Sequence, residues 1–466
     1  MGHEEEHVGN HILSGRPGRR LLALVATAGI VVAACSSGAT ASPAPASQAP
    51  ASQAPAASAT PAAELEGTIT FLHKYGDPRY TPYFDGVVAS YEALHPKVKI
   101  DVTAETDQGV KDKLKVMAAA NSLPDIYFSW AGDYTKKFVR GNLAKDLTDV
   151  VAGDWKSSFT PAALDAYTYD GKLYGVPITL DAKYLVFNKK MFADNGIAVP
   201  STQEELLAAC DAFKAKGITD PVAFGNQYGW PAIHFMTQLN AYYVPAATLA
   251  KDYDPATGAF TDPGYLNALQ AFADINTHCL TKGANGISHE NAQANFLNSK
   301  SPMHYIEAVE FQVLTAAGGA PADLADNWDF IKLPPPANPT GDTGALEGAP
   351  DGFLVNQSSQ HVDIAIDFLK YLTSLDNAKQ MTKTLGWLSP VIGSATADNT
   401  FPQNVRVIED ISKASSMAIW LDTVTQIDVA NAYLNGVQAM LDGTKTAADV
   451  VADVQAAAAK AKAETQ

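Results

Sequence analysis

The sequence predicts an α/β chain arranged in two lobes, and three observations carry that reading. The chain has 466 residues, too many for one ordinary hydrophobic core. Hydrophobic residues make up 47% and charged residues 18%, so most of it can fold. Extended and helical patterns then alternate along the chain, which implies mainly parallel sheets covered by helices on both faces.

The elements follow in order. Thr68–His73 reads as a strand, Tyr83–His95 as a helix stopped by Pro96, and Lys99–Thr103 as a strand with alternating apolar residues. Val110–Asn121 is helical, Pro124–Trp130 is a third strand, and Tyr134–Gly141 is a helix closed by glycine. Pro177–Asn188 is a long extended run suited to crossing between lobes. Helices are expected at Gln203–Lys216, Leu266–Leu280, Ala292–Asn298, Val362–Ser374, Ala378–Leu385 and the alanine-rich Thr446–Lys462, with a short strand at Val222–Gly225. Ligands on such sheets bind at the carboxyl ends of strands. That rule points to His73–Asp77 after the first strand and Trp130–Asp133 after the third.

The formal net charge of -17 repels phosphate backbones, so nucleic acid is not an expected partner. The same field weighs against an anionic ligand.

The N-terminal region reads as an export signal, residues 1–34. Arg16, Arg19 and Arg20 precede the apolar run Leu21–Ala34, which is too short to span a bilayer as a permanent helix. The run ends in Val32-Ala33-Ala34-Cys35, which resembles a bacterial lipobox. That resemblance implies cleavage before Cys35 and lipidation of its thiol. His3-Glu4-Glu5-Glu6-His7 matches the H-E-x-x-H pattern of zinc peptidases but lies upstream of the cleavage point, so no metal is expected. The remainder of 35–64 is mostly Ser, Ala, Pro, Gln and Thr, with no large apolar side chain before Leu65. It is expected to be a disordered tether with a reach of roughly 30 Å or more.

Several segments together resemble the extracellular solute-binding family that serves sugar importers. They include Leu123-Pro124-Asp125-Ile126 through Asp133, Gly141-Asn142-Leu143, and Asp170-Gly171-Lys172-Leu173-Tyr174-Gly175-Val176-Pro177. They continue through Leu185–Phe192, Pro200-Ser201-Thr202, Phe296 with Lys300 and Met303, Gly352–Val355, and Leu385–Pro390. The matches run in family order over roughly residues 67–440. The resemblance implies a two-lobed, periplasmic-binding-protein-like α/β fold with a ligand cleft between the lobes. Lobe 1 is expected over 65–179 plus 330–386, and lobe 2 over 180–329 plus 387–466. It also implies a non-enzymatic, cofactor-free monomer that binds a sugar or oligosaccharide by hinge closure and delivers it to the permease subunits of an ABC importer. The only membrane contact expected is the lipid on Cys35, at the outer face of the cell membrane.

A sugar offers hydroxyls and apolar ring faces, so its site needs aromatic platforms together with carboxylates and amides. By position in the family pattern, the candidates in lobe 1 and the crossing segment are His73, Lys74, Asp77, Trp130, Asp133, Asp181 and Asp351. Gln227, Tyr228, Trp230, Glu307, Trp387 and Trp420 complete the set. Several have structural readings beside the functional one. Asp133 and Asp181 also suit helix caps, Asp77 before Pro78 suits a turn, and tryptophans most often serve as core. The family's glycine and tryptophan after the methionine are absent, since Met303 leads into His304-Tyr305-Ile306-Glu307, so Glu307 is the polar group offered there. Ser299 stands where glycine is usual.

Cys210 and Cys279 lie in different expected helices of one lobe, and an oxidising exterior permits them to pair or to remain free. Two other functions fit the composition: a secreted carbohydrate-active enzyme, which needs two facing carboxylates, and a binding protein for a polyamine or osmolyte.

Overall fold

A computed structural model describes residues 64–465. The export signal, Cys35, His3–His7 and nearly all of the tether lie outside the described residues.

The first lobe is built on a five-stranded sheet. Gly67–His73 pairs in parallel with Val98–Ala104 on one side and Ile126–Trp130 on the other. Pro350–Val355 then lies between Ile126–Trp130 and Gly175–Leu180, antiparallel to both. The sheet is therefore mixed rather than mainly parallel. The cause is chain path: Pro350–Val355 re-enters from the second lobe, at the edge where the other strands end, and must run against them. Helices Thr81–Leu94, Asp107–Ala119 and Asp133–Arg140 return the chain between strands, close to the expected bounds.

The extended run does cross between lobes. Gly175–Leu180 belongs to the first sheet, the chain breaks at Asp181-Ala182, and Lys183–Asn188 joins a second, four-stranded sheet. There it pairs antiparallel with Trp328–Ile331 and with Met303–Glu307, which pairs in parallel with Val222–Ala223. Phe330 and Ile331 pair with Val186 and Leu185, so the return to the first sheet expected at 330 comes at Pro350 instead. The returning segment Leu346–Glu347 pairs with Met417–Ala418. Next to it, a Cβ added at Gly348 would meet the Asp181 carbonyl oxygen at 2.1 Å. Only glycine lets the two crossing segments lie side by side.

Each sheet has its own core. Phe71, Phe128, Phe353 and Phe368 pack in the first, and Phe187, Phe213, Phe235 and Phe272 in the second. Trp387, assigned by sequence to lobe 2, packs in the first core. Helix Trp230–Tyr243 is buried at every position from Pro231 to Tyr242. It shows none of the one-sided periodicity that reveals a surface helix, and the sequence reading missed it. Cys210 and Cys279 form a disulfide with Cα atoms 5.2 Å apart. Ser299 takes φ 53°, the left-handed conformation that favours the glycine usual at this turn. Asn188 donates a hydrogen bond from Nδ2 to the Ser299 Oγ at 3.2 Å.

Candidate functional site

The carboxyl ends of four first-sheet strands face one side. Lys74 follows the first strand, Asp107 follows the second, Trp130 ends the third, and Thr179 lies near the end of Gly175–Leu180. Asp351 sits at the start of the reversed strand, so it lies opposite both Trp130 and Thr179. In the second sheet the carboxyl end of Met303–Glu307 delivers Glu307, and the loop after Val222–Ala223 delivers Tyr228 and Trp230. A cavity of about 570 Å³ lies between these two edges.

Ten of the thirteen residues expected at the site line that cavity: Lys74, Asp77, Trp130, Asp181, Tyr228, Trp230, Glu307, Asp351, Trp387 and Trp420. Three do not. His73 is fully buried behind the wall, its ring stacked on Phe84 at 4.9 Å, and burial lowers its pKa to about 4, which leaves it neutral. Asp133 opens helix Asp133–Arg140 and is gripped by Arg140 through contacts of 2.6 and 3.0 Å. Gln227 is exposed and lies outside the cavity lining.

The first-lobe wall is a chain of ion pairs over an aromatic ring. The Lys74 ammonium contacts Asp351 at 2.8 Å and Asp107 at 3.5 Å, while Lys111 contacts Asp107 at 3.3 Å and Asp422 at 3.6 Å. Lys74 and Lys111 lie 5.3 and 4.7 Å from the centre of the Trp130 ring. Trp130 is 5% exposed, so it serves as a bed for two ammonium groups rather than as an open platform. Burial opposes the charged form of Lys74, but Asp351 and Asp107 outweigh it and hold the pKa above the ordinary range. For Asp351 burial dominates and raises the carboxyl pKa, with Lys74 opposing.

The second-lobe wall is organised by histidines. The Lys183 ammonium donates to the Nδ1 of His234 at 2.7 Å, under the Trp230 ring at 4.8 Å. Burial, reinforced by Lys183, lowers the His234 pKa well below the ordinary value, so the ring is neutral and its Nδ1 accepts. His234 stacks on Trp420 at 4.4 Å. His289 pairs with Glu310 at 2.7 Å, and Gln293 donates to the same carboxylate oxygen at 2.9 Å. Burial works against ionisation of Glu310, yet His289 outweighs it and the pKa falls to about 2.

Between the walls, at the crossing point, Asp181 accepts from the Ala182 and Val309 amides at 2.8 and 3.3 Å. Burial and then the charges of Glu307 and Asp351 raise its pKa well above the usual carboxylate range. Glu307 is raised as well, by burial, against the opposing charge of Lys183.

Sequence reasoning covered Tyr75 only within the span His73–Asp77 and missed Asp107, Lys111, Thr179, His234, His289, Gln293, Glu310 and Asp422, all in the lining. Three pairs carry an i,i+4 signal near a helix start: Asp107 with Lys111, Trp230 with His234, and His289 with Gln293. In sequence, such spacing reads equally well as a solvated helix face. The assembled set offers ammonium and amide donors, carboxylate acceptors and ring surfaces around a cavity of ligand size.

Comparison with known proteins agrees with this geometry. A binding protein of Brucella abortus is 26% identical over 66% of this chain and 72% of its own length. The diacetylchitobiose binding protein of Streptomyces coelicolor is 23% identical over 60% of this chain and 63% of its own. Among solved structures, a chitin oligosaccharide binding protein superposes with a TM-score of 0.77 at 22% identity, covering 85% of this chain and 99% of that one. The family model described as bacterial extracellular solute-binding protein matches residues 77–379, most of the described region. A cavity lined from two sheets by crossing segments, in a chain matched over that span, identifies this protein as a member of the bacterial extracellular solute-binding protein family.

Proposed function

We propose that this chain captures a sugar or oligosaccharide outside the cytoplasm by closing its two lobes, and delivers it to the permease subunits of an ABC importer. The observation that carries the reading is the cavity itself, about 570 Å³, with paired charges, carboxylates and tryptophans contributed by both sheets. Hydroxyls of a neutral ring exchange hydrogen bonds with such groups, and a ligand touching both walls favours the closed arrangement by its differential affinity. The names of two relatives, which specify diacetylchitobiose and chitin oligosaccharide, support the saccharide class. The protein acts as a monomer and binds its ligand without turnover. The lipobox-like Val32–Cys35 supports anchoring to the outer membrane face through lipidated Cys35. As a lobe division we take 65–180 with the chain from Pro350 to Val391, against 181–349 with 392–466. The changes of sheet between Leu180 and Lys183 and before Pro350 support these boundaries.

Thermal unfolding in the presence of neutral mono- and oligosaccharides, with polyamines and betaine as controls, tests this reading. A ligand at 100 times its Kd stabilises the native state by about 2.7 kcal/mol, a rise of several degrees in midpoint. A rise with a saccharide and no product formed is expected. A rise with a polyamine alone contradicts the saccharide class, and release of a cleaved sugar contradicts a purely binding role.

A further inference from the structure

We propose that Tyr75, Thr179 and Trp387 form an inner subsite that fixes one uncharged, hydroxyl-bearing ring of the ligand by hydrogen bonds. The subsite rests on the saccharide reading above and adds the residues that select the ring. All three residues line the cavity and are buried, at 5%, 1% and 3% exposure. The Trp387 indole N–H has no hydrogen-bond partner among the described residues, and the Tyr75 and Thr179 hydroxyls, neighbours in the same corner, make no well-formed hydrogen bond to each other or to any other described residue. A buried polar atom without a well-formed hydrogen bond is costly, so three in one corner call for a reason. A ligand that supplies the missing partners is such a reason.

The corner is rigid. The Tyr75 ring stacks on Phe84 at 4.6 Å with 5° between planes, and its centre lies 4.9 Å from that of Trp387. Trp387 is held on another side by Tyr80 at 4.7 Å. The polar atoms are therefore aimed by packing and not free to turn toward other partners. Thr179 lies opposite Asp351 in the sheet, and Asp181 follows two residues later. The chemistry of the set is definite. Indole N–H only donates, the two hydroxyls donate or accept, and the Asp181 and Asp351 carboxyls add acceptors. A ring carrying several hydroxyls, or an acetamido carbonyl, matches this combination. A uronate carboxylate would meet Asp181, while the neighbouring Lys74 ammonium is already taken by Asp351 and Asp107, so acidic sugars are discriminated against.

Titration calorimetry of the protein with maltotriose, N,N′-diacetylchitobiose, raffinose and a galacturonate oligomer tests the subsite, using Tyr75→Phe and Thr179→Val, which keep side-chain shape. At least one neutral saccharide binds the native protein and the galacturonate does not. Each substitution weakens that neutral saccharide about tenfold, and the unliganded variants unfold at the same temperature as native or higher, because an orphaned group has been removed. If the native protein binds a neutral saccharide and both variants keep native affinity, the subsite is wrong while the function stands. If no neutral saccharide binds the native protein, both fall together.

Discussion

The Lys74 ammonium stands between two carboxylates of the first-lobe wall, and removing it leaves Asp351 buried without its closest counter-charge. Lys74→Met is expected to destabilise the unliganded protein by about 2–3 kcal/mol in urea denaturation at neutral pH. The carboxyls of the cleft respond to pH in opposite senses. Glu310 has a folded pKa of about 2 against an ordinary 4.5, so its stabilising contribution is present above 4.5 and is lost as pH falls toward 2. Glu310→Gln should cost on the order of 2 kcal/mol at pH 7, and the difference should shrink on titrating unfolding midpoints below pH 4.5. Asp181 is shifted the other way. Its native form holds a proton more tightly than the unfolded chain, so ionising it costs stability as pH rises above the ordinary aspartate range. Asp181→Asn should therefore raise the unliganded melting temperature at pH 7, with the gain disappearing toward pH 4, while weakening ligand binding.

At the scale of elements, the hinge depends on close backbone approach. Gly348→Val forces a side chain against the Asp181 backbone, and a loss of about 2–3 kcal/mol is expected in equilibrium unfolding. The Cys210–Cys279 disulfide closes a loop across a sequence separation of 69, tying helix Gln203–Ala215 to the end of helix Pro263–His278. Chain-entropy reasoning gives it about 4 kcal/mol, so the double alanine variant should unfold at clearly lower denaturant than the oxidised protein. A midpoint unchanged by the substitution would count against the bond. Elements with a strong local signature were legible in the sequence: the first three strands, the amphipathic helices and the crossing run Pro177–Asn188. The fully buried helix Trp230–Tyr243 and the reversed strand Pro350–Val355 were not. The first lacks one-sided periodicity, and the orientation of the second is set by where the chain returns from rather than by its own residues.

At the scale of the molecule, the fold brings residues hundreds of positions apart to one cavity between two sheets. Lys74 meets Asp351 and Lys111 meets Asp422, while Lys183 meets the nearer His234. Residues placed at strand ends by topology alone, such as Lys74, Trp130 and Asp181, could be anticipated from sequence. Partners such as Asp422 and Glu310 could not, because nothing in their neighbours distinguishes them from solvated charges until the chain is folded. His73 shows the opposite failure: it ends the first strand, but side chains alternate along a strand, and its ring turns into the core while Lys74 turns to the cleft. Trp130, Trp230, Trp387 and Trp420 line the cavity, four of the six tryptophans in the chain. Intrinsic fluorescence therefore reports on this site above all others, and a fluorescence titration with neutral oligosaccharides tests the central claim most directly. A saturable change with at least one saccharide, abolished or strongly weakened in Asp181→Asn, is the predicted result. A spectrum unmoved by every neutral saccharide but shifted by a cationic or anionic solute would contradict it.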